Sequence, residues 1–117
     1  MTQFRVEHIA RQDGRALVYR LSGVLGESAY SFEFLEEIRR QMAEGPERIV
    51  LNLEDLEYIT STGVGVIAAS LASAIRHDKH FALVAVPSAV RKVLEVAHIW
   101  PSLEHHATED EAVKLGS

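Results

Sequence analysis

The uncharged segment at residues 58–70, YITSTGVGVIAAS, is the feature that most constrains how this chain folds. Charged residues make up 25% of the chain, yet none occurs between residues 58 and 75. The segment is rich in Gly, Ala, Ser and Thr, and it is too short and too polar to span a bilayer. We therefore expect a helix of a water-soluble protein, whose smooth surface is either buried in its own domain or offered to another molecule.

Composition narrows the classes of protein to which the chain can belong. Its 117 residues are enough for one domain with its own core, so we expect a single domain over 1–117. The net charge of −5 disfavours binding to nucleic acid. The lack of cysteine excludes disulfides and thiol catalysis. Because the start MTQFRVEHIARQDGR is charged and does not resemble a signal peptide, we expect a cytoplasmic protein without membrane insertion.

The first part of the chain predicts a hairpin and a helix. The sequence FRVEHIARQDGRALVYRL indicates two antiparallel strands, because Asp13-Gly14 suits a tight turn. Ser28 can cap a helix that follows, and Gly45-Pro46 supplies a stop signal.

Strand and helix patterns continue to alternate in the rest of the chain. This order favours an α/β fold with a mixed β-sheet, in which an N-terminal antiparallel hairpin is followed by alternating helices and strands. The predicted elements are a buried strand at 48–53 with an acidic turn at 54–57, the uncharged helix, a buried strand at 80–86, a helix at 88–97, a short edge strand at 101–107, and a brief final helix opened by a capping box from Thr108 to Glu111.

Two stripes of residues run along the predicted uncharged helix. The first is apolar and is expected to lie against the sheet. The second is nearly free of bulk and is expected to look outward as a docking surface, where another backbone could approach closely. The alternative is that neighbouring elements bury this helix on most sides. The apolar stripe comprises Val64, Ile67, Ala68, Leu71 and Ile75, and the small-residue stripe comprises Ser61, Gly65, Ala69, Ala72 and Arg76.

Ser61 and Thr62 lie where the exit turn of the preceding strand meets the start of this helix, so both are candidate caps. The first turn of a helix has unpaired N–H groups and a partial positive charge, so it could accommodate a phosphate on Ser61. The added dianion would lie beside the acidic residues at 54, 55 and 57 and would repel an apolar or acidic partner. The alternative is that these hydroxyls serve only as helix caps.

Three stretches of the chain resemble the STAS domain family, which is named for sulfate transporters and anti-sigma factor antagonists. They are LSGVLGES, IVLNLEDLEYITSTGVGVI and HFALVAVPSAVRKVLEVAHIWPSL, and the resemblance runs almost end to end. The middle stretch is the most specific, since family members typically have Asp-Ser-Ser-Gly or a close variant there. When the chain is aligned on Gly63, the first serine of that motif, which the family phosphorylates, corresponds to Ser61.

The resemblance implies a STAS-like mixed sheet and a bacterial anti-sigma factor antagonist. In its unmodified form such a protein binds an anti-sigma serine kinase, which itself binds ATP, and thereby frees a sigma factor or a comparable target. Phosphorylation by the kinase weakens the complex, and a serine phosphatase restores it. The resemblance places the partner-binding surface on the uncharged helix and nearby loops, and the residues expected to bind are Thr60, Ser61, Thr62, Gly63, Gly65, Ala69, Ala72 and Arg76.

Two residues depart from the family pattern. Thr60 stands where many members have Asp, and Asn52 stands where the preceding strand often has Asp. Thr62 is a conservative replacement for the second serine of the motif. Thr60 and Thr62 therefore remain alternative phosphate acceptors beside Ser61.

The sequence indicates no enzyme, no cofactor and no metal site. It contains no convergent nucleophile, base and anion site, and STGVG lacks the Gly-Lys-Ser/Thr ending of a Walker loop. His77 and His80 flank a predicted turn, while His105 and His106 are adjacent on a predicted strand. Neither pair has the compact spacing of a typical metal site.

A second class of function fits the same resemblance. STAS domains also serve as non-catalytic adaptor subunits, either in sensory assemblies or in lipid-transporting ABC complexes. The hydroxyl of Ser61 and its neighbour Gly63 favour the kinase-coupled switch. A kinase or phosphatase gene next to this one would support the switch, and a transporter permease gene would support the adaptor.

Overall fold

The fold is that of a computed structural model, which describes residues 3–114. Within that range, two opening strands are followed by helices and strands in alternation. A short 3₁₀ helix, Trp100–Ser102, precedes the last strand. The strands are β1 (Arg5–Arg11), β2 (Ala16–Leu25), β3 (Arg48–Ile59), β4 (His80–Val84) and β5 (Glu104–His106), and the α-helices are α1 (Ala29–Glu44), α2 (Ser61–Arg76), α3 (Ser88–Val96) and α4 (Glu109–Val113).

The strands form one sheet in the order β1-β2-β3-β4-β5. β1 is antiparallel to β2, and the other neighbours are parallel. Each helix from α1 to α3 joins a parallel strand to the next one across the sheet, and since such crossovers are right-handed, all three helices cover the same face. α4 packs on the opposite face. The sheet confirms the predicted mixed α/β fold.

The N-terminal hairpin turns through residues 12–15, as Asp13-Gly14 predicts. Gln12, Asp13 and Gly14 have φ values of 54°, 56° and 83°. The Arg15 N–H donates to the Gln12 carbonyl at 3.1 Å, which closes the turn around Asp13-Gly14, and the Gly14 N–H donates to the Arg11 carbonyl at 3.1 Å. Positive φ costs glycine nothing and is tolerated by Asp, so the turn forms at this dipeptide.

The main core lies between the sheet and the three helices on its covered face. Ser28 caps α1 by accepting the N–H of Ser31, as predicted, and α1 buries Phe34, Ile38 and Met42. Residues 49–51 of β3 and 81–84 of β4 are buried, so these sequences are apolar runs rather than alternating patterns. This burial holds the carboxyl ends of the parallel strands in a fixed register.

The predicted acidic turn at 54–57 is wrong, because β3 continues through it to Ile59. The outer half of β3 pairs with the outer half of β2, with one register shift before the pairing of Ser22 with Asp55 and another after that of Gly23 with Leu56. Leu56 and Ile59 are buried, whereas residues 54, 55 and 57 are exposed. A local cluster of acids resembles a turn, but pairing with β2 decides the conformation here.

Two other predicted strands are shorter than expected. β4 ends at Val84 instead of continuing to 86, because Ala85 leaves the strand with a φ of 54°. The edge strand predicted at 101–107 is confined to β5, since the 3₁₀ helix occupies residues 100–102. The predicted capping box is confirmed, because Thr108 and Glu111 bond each other's backbone N–H groups at the start of α4.

The predicted inward stripe of α2 is wrong in part. Ile67 is buried, but Val64, Ala68 and Leu71 are half-buried and Ile75 is 72% exposed. The face of α2 that is buried instead carries several small and polar residues. Among them, the Ser70 hydroxyl donates to the Val66 carbonyl at 2.8 Å, so this buried hydroxyl has a hydrogen-bond partner inside the core. The buried residues of α2 are Gly63, Val66, Ile67, Ser70, Ser73 and Ala74.

α4 is held on the opposite face of the sheet by two carboxylates, of which Glu109 makes the most hydrogen bonds and Asp110 pairs with Arg11 at 2.6 Å. Arg20 donates to both oxygens of Glu109, at 2.8 and 2.9 Å, and Asn52 donates to it at 2.7 Å. These hydrogen bonds, with that of Arg20 the largest cause, lower the pKa of Glu109 to about 2. Ala112 and Val113 of α4 are buried in a small apolar cluster on the sheet.

We expect the free energy of unfolding to fall as the pH is lowered from about 4.5 towards 2. Glu109 has an ordinary pKa of 4.5 once unfolded and about 2 when folded. Its contribution, about 1–3 kcal/mol, is therefore complete above pH 4.5 and disappears as the folded carboxyl is protonated. Urea unfolding between pH 7 and 2 measures it, with Glu109→Gln as the control. Parallel pH profiles for the two proteins would contradict this account.

Candidate functional site

The candidate site is the turn between β3 and α2, at the edge of the sheet where the parallel strands end. β3 ends at Ile59 and α2 begins at Ser61, so Thr60 alone joins them. In sheets with parallel strands, binding sites are formed outside this carboxyl edge. The three candidate phosphate acceptors, Thr60, Ser61 and Thr62, lie at this junction and in the first turn of α2.

Thr60 is the N-cap of α2, which corrects the prediction that Ser61 or Thr62 caps the helix. Its backbone is extended, and its Oγ1 accepts the N–H of Gly63 at 3.2 Å. The same hydroxyl donates its proton to Oε1 of Glu27 at 2.8 Å. Because a hydroxyl has one proton, Thr60 already uses its donor within the fold.

Ser61 is the first residue of α2 and is exposed. Within residues 3–114 its hydroxyl has no hydrogen-bond partner. The first turn of α2 contains no acidic residue, so the positive end of the helix dipole is not offset by a side chain of that turn. The structure thus places an unbonded hydroxyl at a helix start, open to solvent.

Thr62 is half-buried, and it lies near the carboxylate that Thr60 binds. Hydrogen bonding, first from the Thr60 side chain and then from the Thr62 side chain, lowers the pKa of Glu27. Glu27 belongs to the connection between β2 and α1. Sequence reasoning missed this residue, since nothing in the local pattern shows that residues 27 and 60 meet.

Gly63 is required by close packing. A Cβ at this position would lie 2.2 Å from the Leu25 carbonyl oxygen and 2.7 Å from Cγ1 of Ile59. The Leu25 carbonyl also accepts the N–H of Thr60 at 3.1 Å. The end of β2 and the start of α2 therefore approach backbone to backbone.

Gly65 is different, because a Cβ built there would have no atom within 4 Å. Glycine inside a helix costs about 0.5–1 kcal/mol relative to alanine. Packing within the described residues gives no reason for this cost. Gly65 lies on the outward face of α2, and the predicted stripe Ser61, Gly65, Ala69, Ala72 and Arg76 is exposed there except for Ala69, which is half-buried.

An apolar groove of about 790 Å³ lies beside the turn and was also missed from the sequence. Its lining includes Phe4, Val24, Tyr30, Tyr58 and Thr60. Tyr30 and Tyr58 are each about half exposed. Two features of the sequence could have indicated the groove. Tyr30 follows the Ser28 cap closely, and Tyr58 closely precedes the hydroxyl residues that begin at Thr60.

The histidines lie elsewhere. His105 packs against the Trp100 ring at 4.4 Å between centroids, and His106 lies 2.7 Å from a carboxylate oxygen of Glu104. Among residues 3–114, no three His, Asp or Glu side chains are grouped as metal ligands would be. In the same range, no helix is long and apolar enough to cross a membrane.

The fold and the turn define a class: a small α/β domain with an exposed serine at the start of a smooth helix, beside an aromatic groove. A family model for the STAS domain matches residues 8–112. The chain belongs to the STAS domain family.

Solved structures agree with this assignment. The anti-sigma factor antagonist SpoIIAA in its unphosphorylated form is 25% identical, with a TM-score of 0.75 over 96% of this chain and 94% of that one. A putative anti-sigma factor antagonist from Thermotoga maritima is 24% identical, with a TM-score of 0.82 over 93% and 92%. A sulfate transporter family protein from Wolinella succinogenes is 14% identical, with a TM-score of 0.70 over 91% and 86%. The chain has the fold of anti-sigma factor antagonists.

The two glycines of α2 should respond oppositely to alanine. Gly63→Ala should lower the free energy of unfolding by about 1–3 kcal/mol, because its Cβ meets the backbone of Leu25. Gly65→Ala should raise it by about 0.5–1 kcal/mol, because the methyl group enters open space. Denaturant unfolding of both variants measures this. Equal effects would show that the close approach at Gly63 is incorrect.

Proposed function

We propose that this protein is an anti-sigma factor antagonist that works as a phosphorylation-controlled binding switch. The unmodified form binds an anti-sigma factor that is a serine kinase and holds the ATP. Phosphorylation of Ser61 weakens this complex, and a serine phosphatase reverses the modification. The observation that carries the proposal is the exposed, unbonded hydroxyl of Ser61 at the start of α2.

Ser61 is a better acceptor than either neighbouring threonine. A kinase needs a hydroxyl that can leave its local partners and enter a foreign active site. Thr60 caps α2 and donates to Glu27, so its transfer would break two hydrogen bonds. Thr62 is half-buried, whereas Ser61 can be reached without any rearrangement.

The outward face of α2 is the proposed docking surface, together with the turn at Thr60, Ser61 and Thr62. Gly65 supports this proposal most directly. Within residues 3–114 the space beside it is empty, and it has no side chain, so another backbone could approach the helix closely there. Ile75, which is exposed on the same helix, would supply apolar area at the far end. Arg76 would add a charge at the rim of the surface.

A phosphate on Ser61 would change this surface electrostatically. The carboxylate bonded to the turn is that of Glu27, while the acidic residues at 54, 55 and 57 are exposed on the outer half of β3. A dianion added here would turn a nearly uncharged face into an acidic one. An apolar or acidic partner would lose affinity.

The adaptor remains the second candidate. A sulfate transporter family protein has a similar fold, so the STAS fold is not restricted to phosphorylation switches. This similarity favours the adaptor. In that case the chain, taken as one STAS domain, would bind a sensory assembly or a lipid-transporting ABC complex through a surface that does not depend on phosphate.

Substitution of Ser61 should separate the two functions. The experiment captures partners from the native cell, with and without ATP, and maps phosphosites by mass spectrometry. Ser61→Ala should retain a serine kinase in both conditions, whereas Ser61→Asp should bind it at least about tenfold more weakly. The native protein is also incubated with the captured kinase and ATP. If its mass did not increase by that of a phosphate group, the switch would be contradicted.

Charge on the small-residue stripe should abolish docking without unfolding the protein. Ala72→Glu places a carboxylate on the outward face of α2, and we expect affinity for the kinase to fall at least about tenfold. Ala89→Glu, at an exposed position of α3, is the control and should bind normally. Calorimetric titration measures both, with circular dichroism as the test of folding. Equal affinities would exclude this face of α2.

A further inference from the structure

Glu27 joins the starts of two helices. It directly precedes Ser28, the N-cap of α1, and its carboxylate accepts the hydroxyl of Thr60, the N-cap of α2. Hydrogen bonding from the two threonines lowers the pKa of Glu27, so the group is ionised at neutral pH. A single negative charge therefore lies between the caps of α1 and α2.

The loop that carries Glu27 is fitted to the start of α2. A Cβ on Gly26 would lie 2.8 Å from Oγ1 of Thr60, so the loop backbone touches this side chain. The Gly26 N–H donates to the Ser31 hydroxyl at 3.1 Å, which ties the same loop to α1. Movement of Glu27 away from Thr60 would therefore also shift the first turn of α1.

A phosphate on Ser61 would compete with Glu27. Ser61 is the residue after Thr60, so its phosphate would be attached within one residue of the hydroxyl that binds the carboxylate. A phosphate dianion next to the Glu27 carboxylate would repel it, since the two groups carry charges of the same sign. The phosphate would be attached covalently at the start of α2, whereas the carboxylate is held there by the hydrogen bond from Thr60, so the carboxylate is the group that would leave.

We propose that Glu27 is the positioning residue through which phosphorylation of Ser61 affects the apolar groove. The phosphate displaces the Glu27 carboxylate from Thr60. This displacement releases the loop at 26–28 and alters the groove beside it. The inference rests on the proposed function only in taking Ser61 as the modified residue.

The groove is the element on which the displacement acts. Gly26, Glu27 and Thr60 form part of its lining, together with the aromatic residues Tyr30 and Tyr58. Because Glu27 and Thr60 both line the groove, movement of the carboxylate away from Thr60 changes the shape of the groove and the position of the negative charge in it. A local modification thus alters an apolar surface beside the docking helix, in addition to the charge on that helix.

The test installs phosphoserine at position 61 during translation, so it needs no kinase. Backbone amide shifts and the carboxyl titration of Glu27 are measured by NMR, with and without the phosphate, in the native chain and in Glu27→Gln. The glutamine keeps an acceptor oxygen but removes the charge. Glu44→Gln, at an exposed position near the end of α1, is the control.

In the native chain, phosphoserine should raise the pKa of Glu27 and shift the amides of Gly26, Ser28 and Tyr30. In Glu27→Gln, the shifts at these amides should fall by more than half, while those in the first turn of α2 persist. The Glu44→Gln protein should respond like the native chain. An unchanged Glu27 titration, or equal loop shifts in the native and Glu27→Gln proteins, would overturn the inference.

The result is separable from the proposed function. Binding of the captured kinase to each phosphoserine protein is measured in parallel. Loss of binding without any response of Glu27 would leave the switch standing and refute the role of Glu27. A response of Glu27 without a change in kinase binding would support the role of Glu27 and refute the switch.

Discussion

The close approach between the end of β2 and the start of α2 is the contact on which the candidate site depends. The Leu25 carbonyl accepts the Thr60 N–H and lies where a side chain on Gly63 would have to be. This contact requires β3 to pair with the outer half of β2, which its two register shifts allow. With that pairing in place, Thr60 caps α2, Glu27 reaches Thr60, and Ser61 projects into solvent.

The two glycines near the start of α2 illustrate why composition does not reveal the role of a residue. Gly63 is glycine because the backbone of Leu25 occupies the space of its side chain. Gly65 faces open space, and its cost to the helix is unexplained by packing within the described residues. The first residue belongs to the architecture, and the second is the stronger indication of a partner.

The sheet separates α4 and its ion pairs from the candidate site. Its open face holds α4 through the ion pair of Glu109 with Arg20, supported by Asn52. The Asn52 amide donates to Glu109, as a carboxylate could not. The three longer helices cover the other face, and the exposed turn with its smooth helix lies at the edge where the parallel strands end.

Local pattern in the sequence determined the hairpin at Asp13-Gly14, the cap at Ser28, the capping box of α4 and the alternation of elements, because these depend on neighbours a few residues apart. The motif around Gly63, with two further stretches, identified the family, whereas Ser61 as the modified residue stays a prediction. Only the tertiary structure decided that residues 54–57 are strand, that Ser70 is buried while Ile75 is exposed, and that Glu27 meets Thr60. Each of these depends on contacts between segments distant in sequence, and their energy outweighs the local preference of the residues involved.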